Sequence, residues 1–147
     1  MKPDIWGKYL WVSIHFIAME YPHNPTIDEK NNYRTFFENL EHVLPCAVCS
    51  ENYSKHLIKF PLNDNVLQNR MNLFKWTVDI HNEVNKLTGK SILSYDHAIK
   101  LYTEFFVNKN DTIKQLFHTP YNGIKSSSSY SVLKNSVSTP ELPGLFL

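Results

Sequence analysis

Cysteine is the scarcest chemically useful residue here: the 147-residue chain carries only Cys46 and Cys49. Two thiols exclude the cysteine-rich scaffold of a small secreted domain. A pair three residues apart closes too short a loop to add much stability, so it points to chemistry and not to stapling. Net charge is almost absent as well, +1 at pH 7. That leaves no electrostatic footprint for nucleic acid or for a charged membrane surface. No apolar run approaches the ~20 residues of a membrane span. The opening MKPDIWGKYL puts Asp4 and Gly7 where a secretory leader needs an apolar core, so an intracellular protein without a signal peptide is expected.

What the chain does have is enough apolar material for one core, with 42% hydrophobic and 14% aromatic residues. Its periodicity is helical and no segment alternates as a strand would. Residues 5–20 repeat Leu10, Ile14, Ile17 and Ala18 by threes and fours, and Pro22 and Pro25 stop that helix. Thr26 and Glu29 form a capping-box pattern before Tyr33, Phe36, Phe37, Leu40, Val43 and Leu44. Pro45 starts a short helix with Cys46 in its first turn. A long helix is expected over 65–88 with Gly89 as its C-terminal cap, and Ser94 caps a last helix to about residue 108. From about 118 the chain turns rich in Ser, Thr and Pro, which divides it into a helical domain, 1–117, and a tail, 118–147, without helical periodicity.

On a helix, thiols three apart share a face and come within disulfide range. A helix N-terminus favours the thiolate, and a thiolate can exchange with another disulfide. Cys-x-x-Cys is equally half a zinc site, and His42 and His56 lie close enough in sequence to complete one. Spacing leaves both readings open: a redox enzyme, or a zinc-binding or interaction module.

Two helices carry polar residues that ordinary packing does not ask for. Gly7, Trp11 and His15 fall at i, i+4 and i+8, a strip offering close backbone approach, a stacking face and a hydrogen bond. The competing reading is a buried aromatic beside a satisfied core histidine. Farther on, His81 and Asn85 share a face flanked by Asn82 and Val84, with Trp76 upstream. Amides and an imidazole in mid-helix are either solvated or need partners, and a heteroaromatic cofactor could supply them.

Taken together, Trp6-Gly7, Trp11 and His15, then Tyr21-Pro22, Pro45-Cys46-Ala47-Val48-Cys49, and Trp76 with His81 to Asn85, Gly89 and Lys90 resemble the Erv/ALR family of FAD-linked sulfhydryl oxidases. The likeness spans about residues 6–105. It implies an all-α fold, a four-helix bundle with a short fifth helix, followed by an irregular C-terminal tail. It implies FAD held by Gly7, Lys8, Trp11 and His15 from the first helix and by Trp76, His81, Asn82, Val84, Asn85, Leu87 and Lys90 from the fourth. It further implies a homodimer packed through the first two helices. In the implied reaction, Cys46 takes the attack of a protein dithiol, Cys49 faces the flavin, and O2 is reduced to hydrogen peroxide. The family's shuttle cysteines are missing, and Val78 and about Tyr95 stand where many members tie the fourth helix to the fifth by a disulfide. This resembles the minimal oxidases of large DNA viruses, acting at an assembly site in host cytoplasm or in the virion, and implies a thioredoxin-like or Cys-x-x-Cys-bearing substrate that reaches Cys46 directly.

Overall fold

The computed structural model describes residues 1–104, and those residues form helices joined by short connections, with no strand among them. Helix α1 (Pro3–Met19) begins with proline at its first position, where the missing N–H costs nothing, and with Asp4 at the positive end of the helix dipole. Helix α2 (Ile27–Val43) opens on the expected capping box: Thr26 Oγ1 accepts from the Glu29 N–H, and the Glu29 carboxylate accepts from the Thr26 N–H at 2.8 Å. Helix α3 (Ala47–Lys59) carries the second cysteine, α4 (Arg70–Thr88) is the longest, and α5 (Tyr95–Glu104) follows. Gly89 closes α4 with φ +70°, the left-handed conformation glycine adopts at least cost, and the Lys90 N–H reaches back to Asn85 O.

Three expectations change. The helix expected over 65–88 is broken: Val66–Gln68 make a single 3-10 turn, and Asn69 is extended so that its side-chain oxygen can cap Asn72 N. Cys46 is not in the first turn of α3 but is its N-cap, with Pro45 one residue outside. On α2, Phe36 and Val43 face outward while Phe37 and Leu40 enter the core. The end of the fifth helix near 108, the boundary at 117 and the tail from 118 lie outside the described residues.

Helix α4 is the centre of the molecule, packing against α1, α3, α5 and the 3-10 turn, while α2 pairs with α3. Leu73, Phe74, Trp76, Val78 and Ile80 on α4 meet Ile14 and Ala18 of α1, Phe37 and Leu40 of α2, Tyr53 of α3 and Tyr102 of α5 in one apolar cluster. Burying each large side chain contributes about 1.5–3 kcal/mol, which holds the helices together where propensity alone would not. Among the described residues no helix is long and apolar enough to cross a membrane.

Candidate active site

Cys46 and Cys49 form a disulfide across the start of α3, with Cα atoms 5.2 Å apart. Cys46 Sγ also accepts the Cys49 N–H at 3.2 Å, doing the work a serine oxygen does at other helix starts. Both residues are half-buried. The zinc alternative finds no support: the two sulfurs are bonded to each other, and no group of three or more potential metal ligands gathers among the described residues. His42 is exposed beside the Glu41 carboxylate, and His56 is buried.

Beside the disulfide lies a hollow of about 120 Å³ whose walls include Cys49, Trp6, Gly7, Trp11, Tyr53 and Val84. Cys46 is not among its lining residues. A second hollow of about 230 Å³ shares Gly7, Trp11 and Val84 with the first and adds Lys8, His81, Asn85 and Lys90. A third, about 80 Å³, continues past His81 and Asn85 to Leu93, His97 and Tyr102. The trough therefore runs from the sulfur of one cysteine, across the α1–α4 contact, to a rim bearing Lys8 and Lys90. Leu87, 62% exposed, forms part of the edge next to Cys49.

These surroundings fit a flat, partly polar cofactor on two observations. A Cβ placed on Gly7 would meet nothing within 4 Å, so the backbone of α1 faces open space there. The Trp6 indole N–H is buried against that space with no acceptor among the described residues. A buried donor left unpaired costs roughly 1–3 kcal/mol, which a ligand acceptor would recover. Trp11 does stack, but on His81, with ring centroids 4.2 Å apart and planes 4° from parallel.

Not every residue singled out in the sequence lines the trough. His15 is wholly buried behind it: its Nδ1 lies 2.8 Å from Thr77 Oγ1 and its Nε2 lies 3.0 Å from His81 Nδ1. Burial, with His81 as a lesser cause, holds the His15 pKa well below its usual value. Burial and then the Lys90 charge bring His81 down to about 4. Both rings are neutral near pH 7. Asn82 brackets the connection between α4 and α5, its Nδ2 donating to Leu93 O and its Oδ1 accepting from Leu93 N, both at 2.9 Å. Trp76 is placed differently from expectation. It is a core residue whose indole N–H donates to Phe60 O at 2.9 Å and whose ring meets Phe37 edge-on.

Val12, Thr88 and Tyr102 also line the trough without having been singled out in the sequence, and so does Trp6, which the sequence marks only as part of the Trp6-Gly7 motif; Thr77, likewise not singled out, lies behind it. Thr77 was detectable as the one hydroxyl in the Phe74–Thr77–His81 stripe of α4, an otherwise aromatic face.

The Erv1/Alr family model matches residues 8–105. A protein of Acanthamoeba polyphaga mimivirus named as a probable FAD-linked sulfhydryl oxidase is 52% identical over 100 residues, covering 68% of this chain and 70% of its own length. The FAD-linked sulfhydryl oxidase of African swine fever virus is 30% identical over 103 residues, 70% of this chain and 84% of that protein. Among solved structures, the FAD binding domain of Erv1 from Saccharomyces cerevisiae superimposes with a TM-score of 0.64 at 26% identity, covering 71% of this chain and 96% of that one.

Proposed function

The chain belongs to the Erv1/Alr family and is an FAD-linked sulfhydryl oxidase; from that premise we propose how its residues divide the work. A substrate thiolate attacks Cys46 Sγ, forming an intermolecular disulfide and releasing Cys49 as a thiolate. The substrate's second thiol, deprotonated, attacks its own sulfur in that mixed disulfide. Substrate leaves oxidised and Cys46 leaves as a thiolate, so two electrons now reside on the cysteine pair and two protons have been released. The helix N-terminus and the Cys49 N–H favour the Cys46 thiolate as leaving group. FAD, when bound, supplies the two-electron chemistry that carries this charge from the pair to O2 as hydrogen peroxide.

The observation that carries this division is the asymmetry of the pair: Cys49 lines the trough and Cys46 does not. Gly7, Lys8 and Trp11 from α1 and His81, Val84, Asn85, Leu87 and Lys90 from α4 hold the cofactor. Lys8 and Lys90 provide positive charge at the rim for its diphosphate. His15 and Asn82 act from behind, one on His81 and the other on the α4–α5 connection. The substrate is a protein dithiol, of thioredoxin-like or Cys-x-x-Cys-bearing type, and the protein works as a homodimer. Outward-facing Ile5 and Tyr9 on α1 and Phe36 and Val43 on α2 support that assembly. Residues 1–117 form the catalytic domain and 118–147 a tail dispensable for cofactor binding.

Purified protein is expected to be yellow, to release FAD on denaturation, and to consume O2 when given dithiothreitol. A colourless protein that releases zinc would overturn the reading.

A further inference from the structure

The hydroxyl of Thr77 sits between two acceptor-rich neighbours, and the distances decide which way it points. Thr77 Oγ1 is 2.7 Å from the carbonyl oxygen of Phe74 and 2.8 Å from His15 Nδ1. Two oxygens approach to 2.7 Å only with a hydrogen between them, and a carbonyl has none to give. The single threonine proton therefore lies toward Phe74 O. His15 Nδ1 must then carry a proton and donate it to Thr77 Oγ1. His15 is neutral and wholly buried, so this is its only ring proton and its Nε2 is a bare acceptor. The 3.0 Å contact to His81 Nδ1 is then closed by a proton on His81. His81 is neutral too, which leaves its Nε2 without a proton. That nitrogen has no partner among the described residues, and His81 lines two of the three hollows.

We propose that Thr77 is a positioning residue that polarises the row Phe74–Thr77–His15–His81 in one direction, so that His81 meets the trough as a hydrogen-bond acceptor and selects a ligand edge that donates. The direction of the row stands on this structure alone; its service to FAD rests on the function proposed above. Thr77 touches no part of the trough, so its effect on a ligand passes entirely through two imidazoles. Stacking against Trp11 fixes the plane of His81, and the row fixes which of its nitrogens is bare. Orientation and proton position are thus set by different neighbours.

The test is nitrogen-15 NMR of histidine-labelled protein, with FAD titrated into flavin-depleted protein as a second readout. In the natural sequence both His15 and His81 should be protonated at Nδ1 and bare at Nε2. Thr77→Val keeps the side-chain shape but removes the acceptor for His15 Nδ1–H. Both rings should then reverse, with His15 donating from Nε2 and His81 presenting an N–H to the trough. FAD should bind roughly five- to a hundredfold more weakly, the range expected when a buried polar partner is mismatched. Thr77→Ser retains the hydroxyl and should restore both tautomers and affinity. A proton on His81 Nε2 in the natural sequence, or unchanged tautomers in Thr77→Val, would refute the row. If the protein binds no FAD while the tautomers follow this pattern, the row stands and the flavoenzyme reading falls.

Discussion

Acidification from pH 7 to pH 5 should destabilise this fold through His15 and His81 specifically. Both have folded-state pKa values below the ordinary 6.5, His81 at about 4 and His15 well below normal. The unfolded chain therefore takes up protons that the folded chain refuses. Their contribution is complete above 6.5 and declines as pH falls, and for His81 the loss stops growing below about 4, where the folded ring also protonates. At about 1.36 kcal/mol per pH unit, the 1.5 units between 6.5 and 5 cost at most about 2 kcal/mol for His81, and His15 adds a loss of the same sign. Against a typical 5–15 kcal/mol of total stability that is a large share. Protonation of His15 would also break the bond between the rings, because its Nε2 would then carry a hydrogen where the His81 Nδ1–H needs a lone pair. The assay is urea denaturation at saturating FAD, followed by tryptophan fluorescence at half-unit steps of pH. His81→Asn keeps an N–H donor toward His15 but cannot titrate, so it should recover about 2 kcal/mol of the loss at pH 5. Parallel stability curves for the two proteins between pH 7 and 5 would refute the reasoning.

Cys46→Ser and Cys49→Ser should each abolish dithiothreitol-driven O2 uptake while FAD stays bound. A long-wavelength absorption band, from the Cys49 thiolate beside the flavin, is expected only in Cys46→Ser, and its appearance only in Cys49→Ser would reverse the two roles. Trp76→Phe removes the indole donor to Phe60 O and should lower stability by about 1–3 kcal/mol without changing flavin content, since the residue lines none of the three hollows of the trough; loss of flavin without loss of stability would return Trp76 to the cofactor site. Ending the chain after residue 117 should leave FAD binding and turnover of dithiothreitol intact and should alter turnover of a protein substrate; a flavin-free truncated protein would move the domain boundary.

Caps were the most legible part of the fold, because they depend on neighbours in sequence. The Thr26–Glu29 box and the Gly89 stop form where their residue types require them. The break at Asn69 was hidden because Val66, Leu67 and Leu73 sustain a helical apolar rhythm across it. An asparagine favours a cap over mid-helix, but Asn65, Asn69 and Asn72 stand close together here, and spacing does not say which of them starts the helix. For the site, spacing on the two helices picks out one face of each. His81, Val84, Asn85 and Thr88 lie three, four and seven apart and line one face, as Gly7 and Trp11 do on α1. Trp76 is five residues before His81, about 140° round the helix, so its place in the core follows from the same geometry. His15 and Asn82 are a different case. Their polarity correctly marked a need for partners, but those partners are Thr77, His81 and Leu93, which only the tertiary arrangement brings near.

The bracket between α4 and α5 has a consequence for an enzyme that handles thiols. Asn82 grips both backbone groups of Leu93, and the Tyr95 hydroxyl donates to Asp79 Oδ1 at 2.7 Å. Val78, where many family members are expected to have a cysteine, is instead fully buried in the core. The second fastening is thus redox-silent. With two cysteines in the whole sequence, the bond that turns over in each cycle is also the sole reducible bond the chain can form within itself. A reducing milieu opens that pair, which is the first half of each turnover, and it has nothing else to unfasten. Reduction loads this protein without dismantling it.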